Sequence, residues 1–226
     1  MKKSITLLLV FVMLFSVFAS TSTITASAKT KIKLSKTSIT LTLGKSKTIK
    51  LNGLTKKQAK KVKWKSANKK IATVSKGKIT SKKVGTTKIT ATYKGKKYKC
   101  KVLVRPNFKK LYDKYCSPEV ARVAGDNSYL SLESNPYQID LDDYDENDEE
   151  YYNALEDSIY YYDLFEKSIK DIHKSLGLPN SLFERMLNTY NTEGRQTNYY
   201  KSKGFYVTWA FTSNYGGNLE VQYYLY

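Results

Sequence analysis

The densest set of side chains able to do chemistry is the acidic run Asp140-Leu-Asp142-Asp143-Tyr-Asp145-Glu146-Asn147-Asp148-Glu149-Glu150. Clustered carboxylates suit a hard cation such as calcium, and Asp143, Asp145 and Asn147 fall at the first, third and fifth positions of an EF-hand-like loop. The sixth position is Asp148, where the turn needs glycine, and the twelfth is Ala154, where a bidentate carboxylate belongs. The spacing therefore favours a solvated acidic loop feeding a helix N-terminus, and neither a metal nor a cofactor is expected. Asp142 and Asp145 stay open as a paired-carboxylate alternative, the acid and base of a glycan-acting hydrolase. The one histidine, His173, lies beside an apolar stripe with nothing at metal or triad spacing, and reads as structural. A catalytic function is not expected.

Lysine is the other abundant functional group. Residues 29–105 hold 25 Lys and one Arg against no acid, a net +26, whereas 106–226 hold 8 Lys and 3 Arg against all 20 acids, a net −9. Composition rarely flips inside one compact unit, so a boundary is expected at Arg105-Pro106. Lys60, Lys61, Lys63, Lys65, Lys69, Lys70, Lys96 and Lys97 are the candidate polyanion contacts. By sequence the lysines are spread over many strands, so a solubilising coat that protects sheet edges competes with that reading. The +26 and −9 halves should also associate loosely and reversibly with salt, the run from Asp140 to Glu150 against the lysine-rich sheet.

Two further groups carry alternatives. Cys100 is turned inward by the alternation of its strand, as a buried thiol would be, while Cys116 is near enough in sequence for a disulfide that export would permit. The 20 tyrosines come partly in runs (Tyr151-Tyr152, Tyr160-Tyr161-Tyr162, Tyr199-Tyr200, Tyr223-Tyr224), and each run must turn at least one ring outward. Such rings suit sugar stacking or protein contacts, or pack as an amphipathic rim.

Elements able to position these groups follow from periodicity. Met1-Lys2-Lys3, an apolar run from Ile5 to Ala19 and Ala26-Ser27-Ala28 predict an export signal over 1–28, too short to span a bilayer and removed after Ala28, with no membrane association expected afterwards. From residue 29 to 105, Ile39/Leu41/Leu43, Ile49/Leu51, Val62/Trp64, Ile89/Ala91/Tyr93 and Tyr98/Cys100/Val102/Val104 repeat with period two between glycine-bearing turns, which predicts an all-β sandwich with Trp64 as its largest inward side chain. From 106 to 226 a small α+β domain is expected. It comprises a helix at Phe108–Tyr115, a further helical turn at Ser117-Pro118-Glu119 and a strand from Tyr129. A long helix over Glu149–Leu176 buries Leu155, Ile159, Tyr162, Phe165, Ile169, Ile172 and Leu176, and a helix capped by Ser181 and Glu184 runs to about Tyr190. A hairpin of Phe205–Thr212 with Leu219–Leu225 then joins the Tyr129 strand in an antiparallel sheet that the long helix covers.

The succession Leu41-x-Leu43-Gly44, Trp64-x-Ser66-x-Asn68, Ile71-Ala72-Thr73-Val74, Gly77-x-Ile79-Thr80 and Gly85-Thr86-Thr87-x-Ile89-Thr90 resembles the group 2 bacterial immunoglobulin-like domain over about residues 31–104. The resemblance implies an invasin/intimin-type immunoglobulin-like sandwich of surface and secreted proteins, acting as an adhesive module or a spacer, without catalysis. Asn135-Pro136-Tyr137, Leu176-Gly177-Leu178-Pro179, Gly194-Arg195-Gln196 and Val207-Thr208-Trp209 resemble uncharacterised tails of secreted Firmicutes proteins. The partners expected for an exported basic domain are an anionic cell-wall polymer or a host glycan. Specific nucleic acid is not expected, because no recognition helix or aromatic stacking motif is interleaved with the lysines.

Overall fold

The structure, a computed structural model, describes residues 31–191, 198–213 and 217–226; the expected export signal and Gly194-Arg195-Gln196 lie outside them. Ile32–Tyr226 forms one compact unit with two hydrophobic cores.

The first core lies in a β-sandwich. One sheet pairs β2 (Ser38–Thr42), β9 (Lys96–Arg105), β8 (Gly85–Tyr93) and β5 (Lys63–Ser66) in that order, with β2 parallel to β9 and the rest antiparallel. The other pairs β3 (Ser46–Thr48), β7 (Lys78–Ser81) and β6 (Ala72–Ser75), and a short pair joins β1 (Lys33–Leu34) to β4 (Leu51–Asn52). The period of two places Ile39, Leu41, Ile79, Ile89, Ala91, Cys100, Val102 and Val104 in the core, each at most 5% exposed. Trp64 departs from expectation. It is only half-buried, because β5 is an edge strand. A helical turn, α1 (Lys56–Ala59), was also not anticipated; Thr55 and Gln58 close a reciprocal capping box around it.

The second core lies between a five-stranded antiparallel sheet and three helices. The sheet runs β10 (Ala121–Val123), β11 (Tyr129–Glu133), β14 (Asn218–Leu225), β13 (Phe205–Thr212) and β12 (Asn198–Lys201). Leu130, Leu132, Phe205, Val207, Trp209, Leu219, Val221 and Tyr223 face α2 (Phe108–Tyr115), α3 (Glu149–Leu176) and α4 (Asn180–Leu187) through Phe108, Phe165, Ile169, Ile172, Leu182 and Met186. The sheet, the covering helix and its stop at left-handed Gly177 are as expected. Four details differ. Residues 118–120 form a turn into β10, since Val120 and Ala121 are buried against the sheet edge, and no helical turn forms there. Pro179, not Ser181, precedes α4, whose N-terminus has no side-chain cap. Edge strands β10 and β12 extend the sheet beyond the expected three strands. Ile159, assigned to the buried stripe, is 55% exposed, and Leu155 and Tyr162 are only half-buried, because the core reaches only the C-terminal half of α3, from about Tyr161 onward.

The cores meet where β9 ends. Val84 packs against the second core, and a side chain at Gly204 would lie 2.9 Å from Arg105 Cγ and 3.3 Å from Leu103 Cδ1. The contact is close packing of backbone on side chain, which the charge split did not indicate. The run 142–150 is exposed, and the ion pairs among the described residues, Lys109–Asp113 and Lys170–Glu166, do not involve it.

Candidate functional site

Strand pairing gathers lysines that the sequence scatters. Lys63 lies opposite Thr92, which lies opposite Lys97; Lys65 lies opposite Thr90 and then Lys99; Lys88 lies directly opposite Lys101. These residues occupy the outward positions of β5, β8 and β9, alternating with Trp64, Ile89, Ala91, Tyr98 and Cys100, and all six lysines are exposed. Neighbouring strands are about 4.8 Å apart, so lysines separated by one threonine strand stand about 10 Å apart, close to the screening length of physiological salt. Like charges placed directly opposite each other, as at Lys88 and Lys101, cost about 0.2–1 kcal/mol. With no acid in residues 29–105 to relieve it, this repulsion favours an anionic occupant. Threonine hydroxyls at 90 and 92 supply donors between the cations.

Of the eight lysines selected by sequence, Lys63, Lys65 and Lys97 belong to this face. Lys60 and Lys61 follow α1, Lys69 and Lys70 lie in the β5–β6 loop where Asn68 Oδ1 accepts from the Lys70 amide at 2.9 Å, and Lys96 pairs with Tyr93 on the opposite parity. Lys88, Lys99 and Lys101 were missed. Their signal was the alternation Lys97-Tyr98-Lys99-Cys100-Lys101 and Lys88-Ile89-Thr90-Ala91, which places each on the lysine side of its strand.

The acidic run makes no comparable site. Asp140–Asp143 turns through a short 3-10 segment, with the Asp142 amide donating to Asp140 Oδ1 at 3.3 Å. Asp145 Oδ1 accepts from the amide and the side-chain nitrogen of Asn147, both at 2.9 Å. Asp143, Asp145 and Asn147 are exposed, and among the described residues no three acidic, histidine or cysteine side chains converge to hold a metal. Those hydrogen bonds hold the Asp145 carboxyl below its ordinary value, the opposite of what a general acid needs.

The histidine and the cysteines are held in uncharged forms. His173 is 4% exposed and meets Phe183 and Tyr223 edge-on, and desolvation lowers its pKa to about 4. Cys116 packs against the same core, and burial pushes its thiol up to about 12. Burial likewise raises the Cys100 thiol. Nucleophilic catalysis by cysteine wants a thiolate beside an imidazolium, and this environment disfavours both. The disulfide alternative is not realised: both cysteines are free, Cys100 inside the sandwich core and Cys116 against the other. Tyr152, Tyr160 and Tyr199 are 56%, 53% and 70% exposed, while Tyr223 is fully buried, so three of the runs do present a ring to solvent.

Residues 28–102 match the family model described as bacterial Ig-like domain (group 2). The first core is an immunoglobulin-like sandwich. No curated protein matches the chain. Among solved structures, similarity is found to the S-layer protein rSbsC(31-844), at 19% identity and a TM-score of 0.28 over 45% of this chain and 15% of that one. Domains 5-6 of the S-layer protein SbsC are similar at 15% identity and a TM-score of 0.29 over 86% of this chain and 83% of that one. No helix among the described residues is long and apolar enough to cross a membrane.

Proposed function

We propose that the protein is a non-enzymatic extracellular binding protein, secreted or retained at a cell wall, whose sandwich holds anionic polymers of the wall or anionic host glycans on its lysine–threonine face. The observation that carries this reading is the convergence of Lys63, Lys65, Lys88, Lys97, Lys99 and Lys101 on one sheet face without an acid in the same domain. The match of residues 28–102 to a bacterial immunoglobulin-like family supports an extracellular setting. The neutral state imposed on His173 and Cys116 supports a binding role over a catalytic one.

A surface lysine contributes about 1 kcal/mol against an anionic surface. Replacing all six by glutamine should therefore weaken binding to purified wall teichoic acid by at least about 100-fold at low salt and flatten its salt dependence. Replacing Lys60, Lys61, Lys69 and Lys70 instead should cost far less. Binding by the six-glutamine protein equal to that of the parent would overturn the reading.

A further inference from the structure

On the other side of the same edge strand lies a cavity of about 500 Å³, within the range of small-molecule sites. β5 turns Lys63 and Lys65 toward the basic face and Trp64 away from it, so one polymer bent over this free edge reaches both. The cavity has an apolar floor of Trp64, Leu54 and Val62 and a rim that includes Lys50, Lys56 and Lys76. The indole is braced from beneath. Gly77 has φ +84°, and a side chain there would lie 3.2 Å from Trp64 Cζ2 and 2.3 Å from the Ile49 carbonyl oxygen. The Ile49 amide donates to the Gly77 carbonyl at 3.0 Å, closing the wall. Lys76 precedes Gly77 in the β6–β7 turn and holds φ +48°, unfavourable for a lysine, so the rim keeps a cation where the turn alone would prefer asparagine or glycine.

We propose that this cavity is a saccharide subsite for a negatively charged glycan, with one sugar ring seated against the indole and its acidic groups met by the three lysines. The inference rests on the polyanion reading and adds the chemical class of the ligand. An aromatic floor needs an occupant with a flat C–H face, and a rim of cations without an acid needs that occupant to be anionic. Bare polyphosphate lacks the first and a neutral glycan lacks the second.

The test compares an oligogalacturonate with inorganic polyphosphate on the full chain at low salt, using calorimetry and tryptophan emission; Trp209 is 2% exposed, so solvent-sensitive changes report Trp64. Two variants probe the cavity without touching the core. Ala59→Phe fills it from an exposed position on α1, and Lys76→Asn removes a rim charge while suiting the left-handed turn. The expected result is that the uronate shifts Trp64 emission and binds Ala59→Phe about tenfold more weakly, as loss of one ring contact predicts, while polyphosphate does neither. Equal responses to both probes, or undiminished uronate binding by Ala59→Phe, would overturn the subsite and leave the lysine face standing. Failure of both probes to bind the parent would overturn both readings. Tighter binding of a single-stranded oligonucleotide with the same sensitivity to Ala59→Phe would overturn the saccharide assignment.

Discussion

Replacing His173 by phenylalanine should remove much of the acid sensitivity of this protein. Neither ring nitrogen of His173 has a hydrogen-bond partner among the described residues, and the ring is enclosed by Phe183 and Tyr223 at centroid distances of 6.4 and 6.0 Å. Its folded-state pKa of about 4 lies below the ordinary 6.5, so between these values the unfolded chain takes up a proton that the folded chain refuses. Stability therefore declines as pH falls below 6.5, and the loss is complete below about 4. At 1.36 kcal/mol per pH unit the full loss is about 3 kcal/mol, with about 2 kcal/mol of it incurred by pH 5. His173→Phe removes the proton site and two unpartnered nitrogens, so at pH 7 it should be neutral or stabilising by about 1 kcal/mol. Urea unfolding followed by circular dichroism at pH 7, 6 and 5 gives the difference between the two proteins, in which the carboxylates common to both cancel. That difference should widen by about 2 kcal/mol from pH 7 to pH 5. Parallel stability curves would show that the imidazole is hydrated or protonated in the fold and would refute the reasoning.

The β8–β9 hairpin places Lys94 at φ +46° ahead of Gly95 at φ +76°, the pattern of a turn that prefers Asn-Gly. Lys94→Asn should gain about 1 kcal/mol in the turn and lose about 0.5 kcal/mol of cation–π contact with Tyr93, a net stabilisation of about 0.5 kcal/mol that a higher urea midpoint would register. With its thiol pushed up to about 12, Cys116 in the native protein should react with iodoacetamide at pH 8 about a thousandfold more slowly than the unfolded chain; rapid native alkylation would contradict its burial.

Periodicity and turn chemistry are local, and what depends on them was legible in the order of residues. The sandwich core follows from alternating Ile, Leu and Val between glycines, and the end of α3 from Gly177 and Pro179. The paired strands β13 and β14 follow from two alternating runs, Phe205–Thr212 and Leu219–Leu225. The extent of burial was not legible. Ile159 has the spacing of a core residue, yet it is exposed, because the spacing names a helix face but not how far the sheet beneath it reaches. Trp64 points inward by parity, but β5 is an edge strand, and strand order is a property of long-range pairing. The lysine face shows the same division. Parity within β8 and β9 indicated which side each lysine takes, whereas only the register between β5, β8 and β9 decided that Lys63, Lys65, Lys88, Lys97, Lys99 and Lys101 stand together. Register is set by how several hydrophobic strands fit one core, so it exists only once the chain has folded.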